Sequence, residues 1–456
     1  MTDELRKPPP YKSPGMRTFS IIWFGQLVSM LGTGMTNFAL SYWIYQETGE
    51  ASALTWAIFA FVVPSIIFSP IAGALVDRYD RKTIMIISDL AAGLTTIWIL
   101  FFLLNGSLDL WQIYAANAIA GIFNAFQFPA YSAAITLLIP KEQYARASGM
   151  VSMASSGSRI LAPALAGALL IPLGLEGILV IDIVTFVFAV GALMVVQIPK
   201  PEVSEDGRSN NGSLWQESIF GFRYIWRRPS LLGLLVVFFC INFTVMFSFA
   251  LLVPYILERT ENSAALLATV QTVGAVGGLL GGFLLTVWGG PKKKIHGILL
   301  GMVGLSLLGE TLLGLGQSMV AWLMGAFFIQ FFIPIIDGSS QAIWQAKVAP
   351  DVQGRVFSVR RLIAHITTPL ATAVAGPFAD KFFTPGMSEG GALVDTFDWL
   401  IGTDPGAGIA LMFVFSGLFG AAVALIAYTI PAIRYAETIL LDFDEKVGTA
   451  VVQSPA

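Results

Sequence analysis

The chain has 456 residues, of which 55% are hydrophobic and only 12% charged, with a net charge of −3. Soluble proteins carry about twice that charged fraction, so lipid is the implied solvent, and a soluble enzyme or nucleic-acid-binding protein is excluded. A single cysteine, Cys240, leaves no intrachain disulfide, and two histidines, His296 and His365, are too few for the usual zinc cluster.

The first residues, "MTDELRKPPPYKSPGMR", are polar and proline-rich, and no cleavable signal is expected there. Apolar runs of about 20 residues then follow one another between polar breaks. They predict twelve membrane-spanning helices over 19–45, 52–76, 83–104, 110–138, 148–172, 176–198, 230–257, 263–288, 295–316, 319–346, 357–379 and 406–430. The runs lack the alternation of barrel strands, so the expected fold class is all-α. The longest polar interval divides the chain into an N-terminal six-helix bundle, 19–198, and a C-terminal one, 230–430. Residues 1–18, 199–229 and 431–456 are expected to be a tail, a linker and a second tail. Within the linker, "SLWQESIFGFRYIWRR" has the pattern of an amphipathic helix on the membrane surface.

Of the 26 Lys and Arg, all but Arg159, Arg259 and Lys381 fall on one side of this topology. By the positive-inside rule that side is cytoplasmic and holds both termini. The two bundles also repeat. Gly73 and Gly282, Leu75 and Leu284, Arg146 and Arg355, and Gly167 and Gly376 are all separated by 209 positions. One constant offset predicts a duplicated, pseudo-symmetric six-helix unit.

The loop between spans 2 and 3, "GALVDRYDRK", packs Asp77, Arg78, Asp80, Arg81 and Lys82 between two apolar stretches. Through Gly73, Leu75, Asp77, Arg78, Arg81 and Lys82 it resembles the G-x-L-a-D-r-x-g-r-k signature of the major facilitator superfamily, with Asp80 in place of the second glycine. The resemblance covers essentially the whole chain. It implies a transporter, not an enzyme, whose loop latches the two halves on the cytoplasmic side, with the Asp facing the start of span 11. Anchoring of the helix ends accounts for Arg81 and Lys82 but not for Asp77. Asp89, about 10 Å further along span 3, is expected to pair with this loop. Span 5 is similar to the family's antiporter signature through Gly149, Ser158, Ala162, Pro163, Ala166 and Gly167. Ordinary close helix packing explains the same small residues. The pattern around "IPKEQYARASGM" resembles the exporter branch that contains macrolide-efflux and siderophore-export proteins. The span-4 arginine of many drug:proton antiporters is replaced here by Asn117.

Charges inside the bilayer cost about 2.5–3.5 kcal/mol each and need an account. Asp182 and Glu310 are placed near the outer ends of peripheral spans, close to water, as structural residues. Arg159, Asp337 and His365 lie on spans 5, 10 and 11, which face the cavity in this superfamily. Asp337 is ten residues before Lys347, about 15 Å deep. Arg159 and Asp337 are expected to form one charge-compensated pair between the halves. Asn37 and Gln127 are expected to add hydrogen bonds to an otherwise aromatic and aliphatic cavity. Together these residues predict a proton-coupled exporter of amphiphilic organic molecules, monomeric in the cell membrane and without a metal or other cofactor. An importer, a lysolipid flippase or a nontransporting receptor on the same fold are the alternatives.

Overall fold

The computed structural model describes residues 14–48, 51–199, 214–261, 263–440 and 442–443. The remaining parts of the expected tails and linker lie outside the described residues.

Among the described residues there are twelve long helices, one for each expected span. The first bundle holds α1 (Met16–Thr48), α2 (Ala51–Arg78), α3 (Arg81–Leu104) and α4 (Leu110–Leu138). It is completed by α5 (144–173) and α6 (175–195), which run into each other without a loop. Gly174 separates them with φ 68° and ψ −179°, a conformation that breaks the helix and that glycine adopts without steric cost. The amphipathic segment forms α7 (Leu214–Trp226). Its Phe220, Tyr224 and Ile225 are buried against Trp344, Val356 and Phe357 of the second bundle.

The second bundle holds α8 (Pro229–Arg259), α9 (Ala264–Trp288), α10 (Lys294–Leu315), α11 (Met319–Lys347), α12 (Gln353–Phe378) and α14 (Ala407–Thr429), with the short α13 (Val394–Ile401) before the last. A wide π turn, Leu305–Thr311, interrupts α10, and another, Ala379–Phe383, extends α12.

The helix ends that carry the basic loops gather on one face, termed here the basic face. The bundles meet there along two crossings, α2 with α12 and α5 with α9. On α12 the residues 353–359 are all buried, whereas 364–366 and 368–370 are exposed. The halves are therefore closed at the basic face and part beyond it.

Asp182 and Glu310 do not lie near water. Asp182 is 4% exposed and Glu310 0%. Asp182 accepts hydrogen bonds from the hydroxyls of Thr33 at 3.2 Å and Thr96 at 3.0 Å, tying α6 to α1 and α3. Glu310, in the π turn, accepts from Ser248 Oγ at 2.9 Å, tying α10 to α8. Burial of a carboxyl group requires such partners, and hydroxyls on neighbouring helices supply them.

Candidate transport site: a closed basic face and a charged cavity

The closure begins with helix-end chemistry. The residue heading α12 is Val352, which has no side-chain oxygen to cap the first amide groups. Asp77, at the end of α2 in the other bundle, does so instead. Its Oδ1 accepts from Gly354 N–H at 2.7 Å and its Oδ2 from Arg355 N–H at 2.9 Å. The Arg355 Nε lies 3.6 Å from the same carboxylate, whose side chain is fully buried. An anion at a helix N-terminus is stabilised by about 0.3–1 kcal/mol when exposed and up to about 2 kcal/mol when partly buried. Gly73 and Gly354 make the approach possible. A Cβ on Gly73 would stand 2.5 Å from Ser358 Oγ, and one on Gly354 would stand 2.6 Å from Asp77 Oδ1.

Arg81 does more than anchor a helix end. It is buried and donates to Ala133 O at 2.7 Å and to Pro350 O, so it too bridges the halves. Lys82 donates to Met194 O at 2.8 Å at the end of α6. Asp80 caps α3 through Thr83 N–H at 3.1 Å, and Arg78 is exposed. Asp89 is not part of this cluster. It sits on the interior side of α3 and accepts from Gln26 and Gln127, both at 2.9 Å. The amides of two neighbouring helices satisfy it, which removes any need to reach the loop.

A third bridge comes from the C-terminal segment. Asp442 lies 2.9 Å from Lys141 of the first bundle and 2.7 Å from Lys347 of the second. Partial burial alone would raise its carboxyl, but hydrogen bonds from Lys347 and Lys141 and their charges hold it below the usual carboxylate range.

Behind the closed face lie two adjoining cavities. The larger, 340 Å³, is walled by Phe128, Tyr131, Phe239 and Trp344, with Arg360 and Arg361 among its polar lining. The smaller, 260 Å³, holds Arg159, Gln330, Ser155 and Ser156 beside Met246 and Phe249. Ser152, Phe238, Asn242 and Asp337 line both. Arg159 and Asp337 thus share a wall, but they form no ion pair. The charge that acts on Asp337 is the Arg360 guanidinium, which also donates to Gln341 at 3.0 Å and Ser340 at 3.2 Å and lies over the Trp344 ring at 4.5 Å. Asp337 and Arg360 come from adjacent helices of one bundle, and they too form no direct ion pair.

His365 is exposed and takes a hydrogen bond from Arg361 Nε at 3.2 Å, one helical turn away. Arg361 in turn donates to the backbone and side-chain oxygens of Asn124 in the first bundle. Arg360 and Arg361 were expected among the cytoplasmic charges. Their signal was position: they stand seven and eight residues inside α12, about 10–12 Å from its start. Asn37 is exposed, and its carbonyl accepts from Ser41. Neither Asn37 nor Gln127 lines these two cavities. Asn117 pins α4 to α2 through Ala57 O at 3.1 Å.

The small residues of α5 pack against helices. Ser158 donates to Met30 O at 2.9 Å, and a Cβ on Gly34 would meet Ala162 at 2.7 Å, so these positions hold α1 close. Ala166 is buried, Pro163 half-buried, and Gly167 exposed with open space around it. Gly149 faces α9 instead. Among the described residues no group of three or more His, Cys, Asp or Glu side chains is placed to hold a metal ion.

Two six-helix bundles, an acid latch and a central charged cavity define a transporter of small molecules rather than an enzyme. The chain belongs to the Major Facilitator Superfamily, whose family model matches residues 22–372. It is 30% identical over 368 residues to macrolide efflux protein A of Streptococcus pyogenes, covering 80% of this chain and 89% of the relative. It is 24% identical over 373 residues to the multidrug efflux pump Tap of Mycolicibacterium fortuitum, covering 79% and 88%. Among solved structures, a bacterial homologue of the iron transporter ferroportin in an outward-facing state matches with TM-score 0.66 at 14% identity, covering 90% of this chain and 99% of that one. The transporter FucP in its outward conformation matches with TM-score 0.66 at 13% identity, with the same coverage. These two likenesses concern the fold. The chain is a multi-pass membrane protein.

Proposed function

We propose that the protein exports amphiphilic organic molecules by alternating access, driven by inward movement of protons. The basic face is cytoplasmic, with both termini on that side of the cell membrane, and the working unit is the monomer. The two moving bodies are 19–198 and 230–430, joined by the 199–229 linker between the 1–18 and 431–456 tails.

The observation that carries this reading is the pairing of a latch with a cavity. Asp77 closes the basic face by capping a helix of the opposite bundle. Behind it, aromatic walls and a few polar groups surround a carboxylate exposed to both cavities, Asp337. Large apolar walls with sparse hydrogen-bonding groups suit an apolar body with a polar head. The efflux names of the S. pyogenes and M. fortuitum relatives support the outward direction.

A cycle follows from the residues. Release of Asp77 from Gly354 and Arg355 opens the cytoplasmic side and admits substrate from the inner leaflet or cytosol. Reclosure of the latch leaves the cavity open outward. Asp337 carries the proton. Protonation removes the one carboxylate charge that lines the two cavities, and their charge balance changes with the direction of opening.

The test is efflux of a fluorescent amphiphilic dye from cells expressing the protein, with and without a protonophore. Export is expected to stop when the proton gradient collapses and to fall in Asp337→Asn at equal membrane abundance. Export that persists under protonophore and stops only on ATP depletion would overturn proton coupling.

A further inference from the structure

We propose that Arg159 is the binding residue for an anionic headgroup, carboxylate or phosphate, so that the substrates are acidic amphiphiles. The inference rests on the export reading above and narrows its substrate class.

The starting point is charge balance. The two adjoining cavities are lined by three guanidinium groups, Arg159, Arg360 and Arg361, against one carboxylate, Asp337. Arg360 donates to Gln341 and Ser340 and acts on Asp337 only through its charge. Arg361 is engaged by Asn124 and His365. Arg159 is exposed to its cavity and is neither hydrogen-bonded nor ion-paired to any described residue. It stands fifteen residues into α5, about 22 Å along the helix, where a charge without a counter-charge is costly. Such a group inside a membrane span marks a ligand pathway by default.

The surroundings complete an anion site. Gln330, Asn242, Ser155 and Ser156 line the same 260 Å³ and bring hydrogen-bond donors. A guanidinium offers a planar fork of donors that matches carboxylate or phosphate oxygens. Phe238 and Asn242 continue the wall into the larger, aromatic cavity, which is the natural place for the apolar body. A cation would instead meet three guanidinium groups against a single carboxylate.

Binding to the purified full chain tests this with four amphiphiles of matched chain length. They are dodecanoylglycine, its neutral methyl ester, dodecyltrimethylammonium, and dodecanoyl lysophosphatidate. Wild type is expected to bind the acid at least about tenfold more tightly than the ester, the size of a charge-assisted hydrogen bond in a shielded site. Arg159→Gln should abolish that difference while leaving the affinity for the ester unchanged, and Arg159→Lys should keep part of it. Preference for lysophosphatidate over the acylglycine would place the anion source in the membrane, and the reverse order in a soluble acid; both support the inference. Equal binding of acid and ester, preference for the cation, or equal loss of acid and ester in Arg159→Gln would overturn it and leave export standing. No binding by any of the four would overturn both.

Discussion

The two crossings that close the basic face are copies of one design, and only one of them carries the latch. Asp77 and Thr286 are equivalent in the repeat, 209 positions apart, as are Gly73 and Gly282. At the α2/α12 crossing the acid meets the second and third amide groups of a helix whose own cap residue is Val352. At the α5/α9 crossing, Thr286 abuts Gly149, five residues inside α5. Amide groups that deep are already bonded within the helix, and no free donor remains for an acid. Thr286 accordingly turns back and donates to Gly282 O of its own helix at 2.7 Å. The side of the molecule that lacks the acid is bridged instead by Asp442 between Lys141 and Lys347. An acid latches two bodies only where it finds unpaired amide groups, and a repeat can lose it wherever the register of the crossing takes those groups away.

The largest expected effect breaks the first crossing. Asp77→Asn removes the charge that holds Gly354 and Arg355. Bonds to a charged group are worth about 1.5–3 kcal/mol, so transport should fall by about tenfold or more. Abundance should stay normal, and cysteine labelling near Ser358 should rise as the closed state is depopulated. Wild-type transport at equal abundance would remove the latch from the mechanism.

Thr286→Asp sharpens the comparison from the other side. If an acid sufficed for a latch, this variant would gain a second one and become locked. The register argument predicts a loss of thermal stability of about 1–3 kcal/mol instead, from a carboxyl without donors. Increased stability together with slowed transport would refute the argument.

Gly73→Ala and Gly282→Ala probe the closeness of the two crossings. The added methyl meets backbone at 2.6 Å, Gly354 O, in the first. It meets Met153 N at 2.9 Å in the second. Overpacking costs about 1–3 kcal/mol, and the first variant should stand at the upper end of that range and the second at the lower. Thermal unfolding in detergent ranks them, and the reverse order would contradict the geometry.

Asp442→Asn is expected to have the smallest effect, about 0–1 kcal/mol, because this bridge is partly solvated and screened. Its pH dependence has a definite sign. The two lysines favour the ionised form, so the bridge is present above the ordinary carboxylate range and lost only as pH falls below it. Between pH 5 and 8, transport by Asp442→Asn should therefore run parallel to that of wild type. Profiles that diverge within this window would assign Asp442 a titrating role.

The origin of what was legible differs from residue to residue. Asp77 stood out because a charged loop between two apolar spans, at a family signature, is a local pattern. Asp89, in the same stretch, does not join the loop, and nothing local in the sequence reveals its partners Gln26 and Gln127 on neighbouring helices. Asp182 and Glu310 were expected near water because rise along a helix measures depth but not the direction a side chain faces. Arg159 and Asp337 line one cavity, and that Arg360 also faces Asp337's cavity depends on how α11 and α12 turn toward each other.

Hydropathy and the 209-residue offset by themselves determined twelve spans and their duplication. The reason is that the bilayer acts on each span separately: every run of about 20 apolar residues must form a helix to satisfy its own backbone. Tertiary structure alone decided which buried charges meet, which crossing holds a latch and which guanidinium is left without a partner. Those outcomes depend on the rotation and register of helices far apart in the chain, where a shift of one residue turns a side chain by about 100°.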